Sequence, residues 1–182
     1  MLVTLIFRPF GGFWTLRKLA NSQVPVLNVC FRALYKLSMA ECTSYIARQA
    51  TFRGRPEFPD GLQNIFISKK AVIGEGCIIY QQTVIGSVTT PGSSRIGAPV
   101  IGDHVLIGAG AKIIGNVHVG NNCRIGANAV VYQDVPDNCV VVSGEMRVIQ
   151  KEHLDNRLCY FSDRTGELVT REHGKEVPAD PH

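Results

Sequence analysis

VIGDHVLIGAGAKIIGNVHVGNNCRIGANAVV, residues 100–131, carries an aliphatic side chain at every sixth position: Ile101, Ile107, Ile113, Val119, Ile125 and Val131. A helix cannot bring these residues to one face, because six residues at about 100° each leave successive side chains roughly 240° apart. Glycine follows four of the six, and strand interiors are depleted in glycine, so a long straight strand also fits poorly. The spacing predicts short strands joined by turns, repeated as in a parallel β-helix of hexapeptide repeats.

The same period begins upstream, at Ile67, Ile73, Ile79 and Ile85. It then breaks, because Ile85 and Ile101 are sixteen residues apart, which is not a multiple of six. The run SVTTPGSSRIGAP, residues 87–99, lies in this gap and is rich in Ser, Thr, Gly and Pro. We therefore expect it to leave the coil as a loop.

Compact residues occupy a second fixed position, four places after each aliphatic residue. They are Ala71, Cys77, Thr83, Val105, Ala111, Val117, Cys123 and Ala129. A tight interior corner has no room for a large side chain, so we expect these residues to pack inside the coil. If three sides complete one turn, residues eighteen apart stack at about 4.8 Å, with Ile67 on Ile85, Ile101 on Val119 and Ile107 on Ile125.

Composition fits one domain with small appendages. The chain has 182 residues, 45% of them hydrophobic, and a net charge of +4, which gives no strong case for nucleic-acid binding. Six scattered cysteines without a C-x-x-C pair indicate reduced thiols in a cytoplasmic protein. Five histidines without an H-x4-H pair argue against the zinc hydratases that use this kind of coil, so no metal is expected.

The first forty residues are basic and contain no acidic residue. The pattern predicts a helix over about 25–40, begun by Pro25. Its expected apolar face holds Leu27, Cys30, Phe31, Leu34 and Leu37, opposite Asn28, Arg32 and Lys36. The segment either covers the open end of the coil or contacts an anionic membrane surface. A third interpretation is that the segment is a targeting sequence, although we find no apolar core with a small-residue cleavage site in it.

The repeat ends after Ile149, which suggests three parts. These are a basic helical N-terminal segment over 1–57, a hexapeptide β-helix over 58–149 with its loop at 87–99, and a C-terminal extension over 150–182. Within the extension, LCYFSDRTGELVTRE predicts a hairpin around Asp163 to Gly166. The last residues, HGKEVPADPH, are expected to form a loose tail.

Three segments carry a specific resemblance: FISKKAVIGEGCIIYQQTVIG, GAPVIGDHVLIGAGAKIIGNVHVGNNCRIGANAVV and QDVPDN. The chain resembles hexapeptide-repeat acyltransferases, most closely the serine acetyltransferase branch with its shorter relatives that acetylate sugars of surface polysaccharides. The resemblance runs from about Phe58 to Ile149. It implies a left-handed parallel β-helix, a homotrimer with active sites between subunits, and acetyl-CoA as co-substrate.

In such enzymes a general base, usually His, activates the acceptor hydroxyl. Here the matching stretch PDGLQNIFIS holds no histidine. Depending on the gap, Asp60 or Gly61 stands at the expected position, so Asp60 is the candidate catalytic residue. Three explanations stay open: Asp60 acts as the base, His104 or His118 is recruited across a subunit boundary, or the protein keeps the scaffold with weakened catalysis.

The resemblance also implies where the donor binds. Ala109 and Ala127 match the small corner residues along the pantetheine arm, and Tyr132 and Gln133 match residues near the nucleotide, although relatives carry lysine in place of Gln133. Arg147 and Lys151 are the candidates for phosphate contact. Small side chains let a ligand approach the backbone closely.

The resemblance therefore implies an acetyl-CoA-dependent O-acetyltransferase. A sugar or polysaccharide hydroxyl is the first acceptor, and Arg95 in the loop suits a carboxylate or phosphate on it. The alternatives are a serine O-acetyltransferase and a trimeric scaffold whose catalysis has weakened.

Overall fold

The computed structural model describes residues 12–22, 25–90, 93–144, 147–150, 152, 159–161, 168–172 and 175–178. Two helices come first, α1 (Gly12–Ala20) and α2 (Pro25–Glu41). The strands that follow are β1 (Tyr45–Ile46), β2 (Thr51–Phe52), β3 (Phe66–Ile67), β4 (Val72–Ile73), β5 (Ile78–Ile79), β6 (Val84–Gly86), β7 (Val100–Ile101), β8 (Leu106–Ile107), β9 (Lys112–Ile114), β10 (His118–Val119), β11 (Arg124–Ile125), β12 (Val130–Val131), β13 (Cys139–Val142), β14 (Arg147–Gln150), β15 (Cys159–Phe161), β16 (Leu168–Glu172) and β17 (Lys175–Pro178).

Three parallel ladders form the sides of a prism. Face A holds β1, β3, β6, β9 and β12 in that order, and face B holds β2, β4, β7 and β10. Face C holds β5, β8, β11 and β13, with β14 added antiparallel to β13. From β3 to β12, consecutive strands pass from face A to B to C and back to A, so each of these turns adds one strand to every face. In the first and last turns a single bridge replaces one strand, Glu57 on Ile78 of face C and Val135 on Val119 of face B.

The predicted stacking is confirmed residue by residue. Ile67 pairs with Ile85 on face A, Ile101 with Val119 on face B, and Ile107 with Ile125 on face C. These six side chains are fully buried. The compact corner residues are buried as well, from Ala71 to Ala129. The parallel ladders extend to Tyr45, upstream of the point where the repeat is recognisable in the sequence.

Close contact between coils explains the glycines that follow the aliphatic residues. A Cβ atom at Gly74 would lie 2.2 Å from the carbonyl oxygen of Gly102, and one at Gly102 would lie 2.7 Å from the backbone carbon of Gly120. At Gly108 it would lie 2.7 Å from the amide nitrogen of Ala127. Each of these corners therefore requires glycine, because a side chain there would push the next coil away.

A ladder of side-chain hydrogen bonds stabilises the edge between faces B and C. Asp103 Oδ1 accepts from the amide of Glu75 at 2.8 Å, and Asn121 Oδ1 accepts from the amide of Asp103 at 2.8 Å. Asp137 Oδ1 accepts from the amide of Asn121 at 2.7 Å. Each carboxylate or amide thus satisfies a turn amide of the preceding coil, which links the coils at this edge.

The two helices cover the N-terminal end of the coil. Trp14 of α1 packs edge-on against Phe52, with ring centroids 5.1 Å apart, and Leu16 is buried. The Tyr35 hydroxyl of α2 donates to the carbonyl of Ile46 at 2.7 Å. The Arg17 guanidinium lies 4.7 Å from the centre of the Phe52 ring. The strand end exposed by β1 and β2 is therefore covered, as the first interpretation of the segment predicts.

The helix itself is confirmed, and its predicted apolar face is right for Phe31 and Leu34 but wrong for Cys30 and Leu37. Tyr35, Ser38 and Met39 are buried, and Phe31 and Leu34 pack against the core. Cys30 is exposed, and Leu37 keeps 51% of its surface exposed. The side chain of Leu27 lies outside the described residues. The helix is rotated relative to the prediction because Tyr35 bonds to Ile46 and thereby turns its own side of the helix toward the coil.

The C-terminal extension contains a three-stranded antiparallel sheet. β15 pairs with β16, with Tyr160 opposite Val169, which confirms the predicted hairpin, although its turn at 162–167 lies outside the described residues. The predicted loose tail is wrong for residues 175–178, since β17 pairs with β16 and places Val177 opposite Thr170. The rest of that segment, residues 173–174 and 179–182, lies outside the described residues. Among the described residues, none of the helices has the length and apolar character needed to cross a bilayer.

One interior corner of the coil carries a buried thiol, Cys77, whose titration makes stability depend on pH. Cys77 is fully buried, and burial raises the pKa of its thiol to about 11. Val105 occupies the equivalent corner one coil later. In the unfolded chain the thiol titrates near its ordinary pKa of about 8.5, so the unfolded state loses its proton first. The Cys77 contribution to stability is therefore complete below about pH 8.5 and disappears as the pH rises to 11.

We expect Cys77→Val to reduce the fall in the free energy of unfolding between pH 8 and 11 by about 3 kcal/mol, because valine does not titrate. Urea titrations at the two pH values measure this difference in each protein. Val105→Cys, which adds a thiol at the equivalent corner, is the matched control and should steepen the fall. An unchanged pH dependence in Cys77→Val would contradict the assignment.

Candidate functional site

Asp60 lies on the edge where the chain passes from face C to face A. It stands in the turn between Glu57, which pairs with Ile78 of face C, and β3 of face A. Gly61 follows with a φ of 73°, and its amide donates to the carbonyl of Phe58 at 3.0 Å. Asp60 is exposed, so its carboxylate points away from the core and is accessible to a ligand outside the coil.

Ala109 and Ala127 occupy the same C/A edge on later coils. The amide of Asn128, next to Ala127, donates to the carbonyl of Ala109 at 2.8 Å, which sets the register between these two corners. Ala127 is exposed and Ala109 is half-buried. Both side chains are small, so the edge presents backbone to solvent over two successive coils.

Gln81 belongs to this column and was not predicted from the sequence. The amide of Gly110 donates to the carbonyl of Gln81 at 3.0 Å, so Gln81 lies one coil before Ala109. Its Oε1 atom is buried and has no hydrogen-bond partner within the described part of the chain. The signal is visible in the repeat, because Gln81 follows Ile79 by two residues just as Ala109 follows Ile107. The position of Gln81 is hard to recognise in the sequence, because the loop of residues 87–99 lies between Gln81 and Ala109 and breaks the eighteen-residue spacing.

Tyr132 and Gln133 lie on a different edge, between faces A and B. Both are exposed in the turn after β12. The loop of residues 87–99 leaves the coil at this same A/B edge, closed at its base by Val88 and Gly97, which exchange backbone hydrogen bonds at 2.9 and 3.0 Å. The Arg95 guanidinium lies 5.7 Å from the centre of the Tyr132 ring. The predicted nucleotide residues and the predicted acceptor loop therefore share one edge.

The remaining candidates are less well defined. Arg147 is the first residue of β14, and its backbone pairs with Val142 at the end of face C. Its side chain and the whole of Lys151 lie outside the described residues. His104 lies in a turn on the B/C edge, and His118 lies on face B, where Asp134 Oδ1 accepts from its amide at 2.8 Å. Both histidines are exposed, and neither belongs to the C/A edge.

The two groups of candidates flank one face of the prism. Asp60, Gln81, Ala109 and Ala127 line the C/A edge, and the loop with Tyr132 and Gln133 lines the A/B edge. Face A separates them. Three outward side chains of this face are apolar and exposed: Tyr45 at 52%, Phe66 at 43% and Val130 at 47%. The half-buried Val84 and the exposed Lys112 lie between Phe66 and Val130. The fold of one chain thus brings together the residues within each group and keeps the two groups apart.

Comparison with known proteins gives the same architecture. Residues 98–133 match the family described as "Bacterial transferase hexapeptide (six repeats)". A serine acetyltransferase of Synechococcus elongatus is 39% identical over 98 residues, which are 54% of this chain and 39% of that protein. One from Mycobacterium tuberculosis is 40% identical over 96 residues, 53% of this chain and 41% of that protein. The matched part thus spans about two fifths of these relatives.

Solved structures agree over a larger part of the chain. Serine acetyltransferase 1 of Entamoeba histolytica, in complex with L-cysteine, superposes with a TM-score of 0.56 and 31% identity, over 70% of this chain and 49% of that one. Isoform 3 from the same organism, also with cysteine, gives a TM-score of 0.59 and 29% identity, over 77% and 50%. The coil is therefore a left-handed parallel β-helix of the hexapeptide-transferase type, and the chain resembles the serine acetyltransferase branch of hexapeptide-repeat acyltransferases.

Proposed function

We propose that the protein transfers the acetyl group of acetyl-CoA to a hydroxyl group. The observation that carries the proposal is the column of small residues on the C/A edge below Asp60, in a coil similar to those of serine acetyltransferases. A thioester ligand that lies along this column would meet the half-buried corner at Ala109, the exposed corner at Ala127 and a carboxylate at Asp60.

The proposal includes a homotrimer with face A toward the three-fold axis. In that arrangement the C/A edge of one subunit meets the A/B edge of the next, because these two edges bound face A. The apolar side chains of Tyr45, Phe66 and Val130 support it, since exposed apolar surface of this kind marks an interface. Each site then consists of Asp60 and the alanine column from one subunit and the loop with Tyr132 from its neighbour.

In the proposed site, the side chain of Gln81 accepts a hydrogen bond from the bound acetyl-CoA. Its buried Oε1 is an acceptor without a partner in the described residues, and leaving such an atom unpaired costs about 1–3 kcal/mol. The pantetheine arm of acetyl-CoA contains amide N–H groups, and rotation of the half-buried Gln81 side chain toward the outside of the edge would let Oε1 accept from one of them. Tyr132 and Gln133 would contact the nucleotide, and Arg147 and Lys151 stay the proposed phosphate ligands.

The chemistry needs a base for a hydroxyl that is a weak nucleophile at neutral pH. Asp60 would accept the hydroxyl proton as the oxygen attacks the thioester carbonyl carbon. The C–S bond then breaks, and the proton goes to the thiolate of CoA. A carboxylate is a weaker base than imidazole near pH 7, which predicts a slow enzyme. His118 is the alternative base, because its strand begins directly after the A/B edge.

Serine is the better-supported acceptor. The similar proteins from Synechococcus elongatus and Mycobacterium tuberculosis are serine acetyltransferases, and the structurally similar serine acetyltransferase of Neisseria gonorrhoeae has been solved in complex with serine. The comparisons give no support to the sugar acceptor, which stays a prediction. A small amino acid also suits a site whose loop contributes one cation, Arg95, for a carboxylate.

Titration of acetyl-CoA by calorimetry tests donor binding. We expect saturable binding by the native protein and about 10- to 100-fold weaker binding by Ala127→Leu, because the larger side chain fills the exposed corner. Ala33→Leu adds the same side chain at an exposed position of α2 and serves as the control. Absence of binding at millimolar acetyl-CoA would contradict the proposal and favour the scaffold.

Replacement of Asp60 tests the base. We expect Asp60→His to raise the rate of CoA thiol release with serine by about 10-fold or more, since imidazole is the stronger base at pH 7. Asp60→Asn keeps the size, removes the basic group and should reduce the rate. The rate is followed by a thiol-reactive dye, with serine compared against a panel of sugars. If Asp60→Asn keeps full activity and His118→Ala loses it, then His118 is the base.

A further inference from the structure

The outer face of α2 combines apolar and cationic side chains. Val29 and Leu37 expose 68% and 51% of their surfaces, and Ala33 between them is also exposed. Arg32 and Lys36 are exposed on the same helix. These residues lie three or four apart, so they share one side of the helix, away from the buried Ser38 and from Phe31 and Leu34, which pack against the core. The acidic residue of α2, Glu41, stands at its last position.

Charge is strongly polarised along the chain. Residues 1–56 contain eight Lys or Arg and one acidic residue, a net charge of +7. Residues 57–182 contain eleven Lys or Arg and fourteen acidic residues, a net charge of −3. Because α1, α2, β1 and β2 lie at the N-terminal end of the coil, this end is strongly basic and the remainder is mildly acidic.

A pocket opens beside this helix face. It lies between α2 and the first coil and has a volume of about 360 Å³. Its cationic members are Lys36, Arg48 and Lys69, and its lining also includes Met39 and Ala40 of α2. No acidic side chain lines it among the described residues. The pocket therefore presents positive charge around apolar surface, next to an apolar and cationic helix face.

We propose that the outer face of α2 and this pocket dock on an anionic phospholipid bilayer. A helix with apolar residues beside Lys and Arg binds the interface of anionic membranes through both burial and attraction to the headgroups. Val29, Ala33 and Leu37 would enter the headgroup region, with Arg32 and Lys36 on lipid phosphates. The pocket would take the headgroup of one lipid, whose phosphate meets Lys36 and Lys69.

The inference goes beyond acetyl transfer and does not depend on it. In the proposed trimer all three N-terminal ends lie at the same pole, because the coils are parallel to the three-fold axis. Three copies of α2 would then face one membrane together, and multivalent attachment strengthens weak individual contacts. A membrane-bound pole would leave the edges of the coil accessible to small soluble molecules.

The test uses flotation of the full chain with vesicles of phosphatidylcholine, with and without phosphatidylserine. We expect binding only to vesicles that contain phosphatidylserine, weakened by added salt. The double variant Arg32→Gln with Lys36→Gln should bind about 30-fold more weakly, from about 1 kcal/mol per cation. Thr89→Glu with Thr90→Glu, exposed in the loop, changes the net charge by the same two units and should bind normally.

A second double variant, Val29→Ser with Leu37→Ser, removes the apolar part and should also reduce vesicle binding while circular dichroism stays native. Several outcomes would overturn the proposal. The first is equal binding to vesicles with and without phosphatidylserine, and the second is a loss of binding in the loop variant as large as that in Arg32→Gln with Lys36→Gln. The third is a change in particle mass in Val29→Ser with Leu37→Ser. The fourth is displacement of the protein from vesicles by millimolar inorganic phosphate. The mass change would make this face an interface between copies, and displacement would make the pocket a site for free phosphate.

Discussion

The stacking of one aliphatic side chain on the equivalent side chain of the next coil is the interaction on which the rest of the structure depends. Ile107 lies in register with Ile125, and Ile85 with Ile113, so each layer buries the one before it. Parallel strands of two or three residues have too few hydrogen bonds to hold a sheet alone, and the buried core supplies the missing stability. A register shift by one residue would turn every aliphatic side chain to solvent.

That register also creates the proposed site. Because every coil repeats the same three corners, residues far apart in sequence align along one edge, as Gln81, Ala109 and Ala127 do. The corners tolerate short side chains where coils approach closely, and these same corners leave backbone accessible from outside. The constraint that packs the core thus also produces a smooth edge along which an extended ligand fits. The 87–99 loop interrupts one corner without disturbing the ladder, since β6 and β7 resume their pairing on either side.

The periodicity of the sequence was enough to predict the coil, its layers and its interior corner residues, because side-chain position in a β-helix depends on spacing alone. It was not enough for α2, where the apolar residues surround much of the helix and Tyr35 decides the orientation by bonding to Ile46. It also missed β17, since Lys175–Pro178 carries little apolar pattern and is ordered by its partner strand β16.

For the candidate site, the sequence identified Asp60 and the alanines by resemblance but missed Gln81, because the loop obscured that residue's place in the repeat. The spacing of the repeat also did not show that the Asp60 group and the Tyr132 group lie on the two edges of face A. Their positions depend on which turn of the prism each group occupies.

Face A is proposed to join subunits and so to complete each acetyl-CoA site from two edges. The most direct measurement is the mass of the particle, by light scattering, together with acetyl-CoA binding, for the native protein and Phe66→Glu. We predict a native trimer, and a folded Phe66→Glu monomer that has lost binding, whereas Thr51→Glu on face B stays trimeric and binds. A native monomer, or a Phe66→Glu monomer that binds acetyl-CoA with native affinity, would contradict this arrangement.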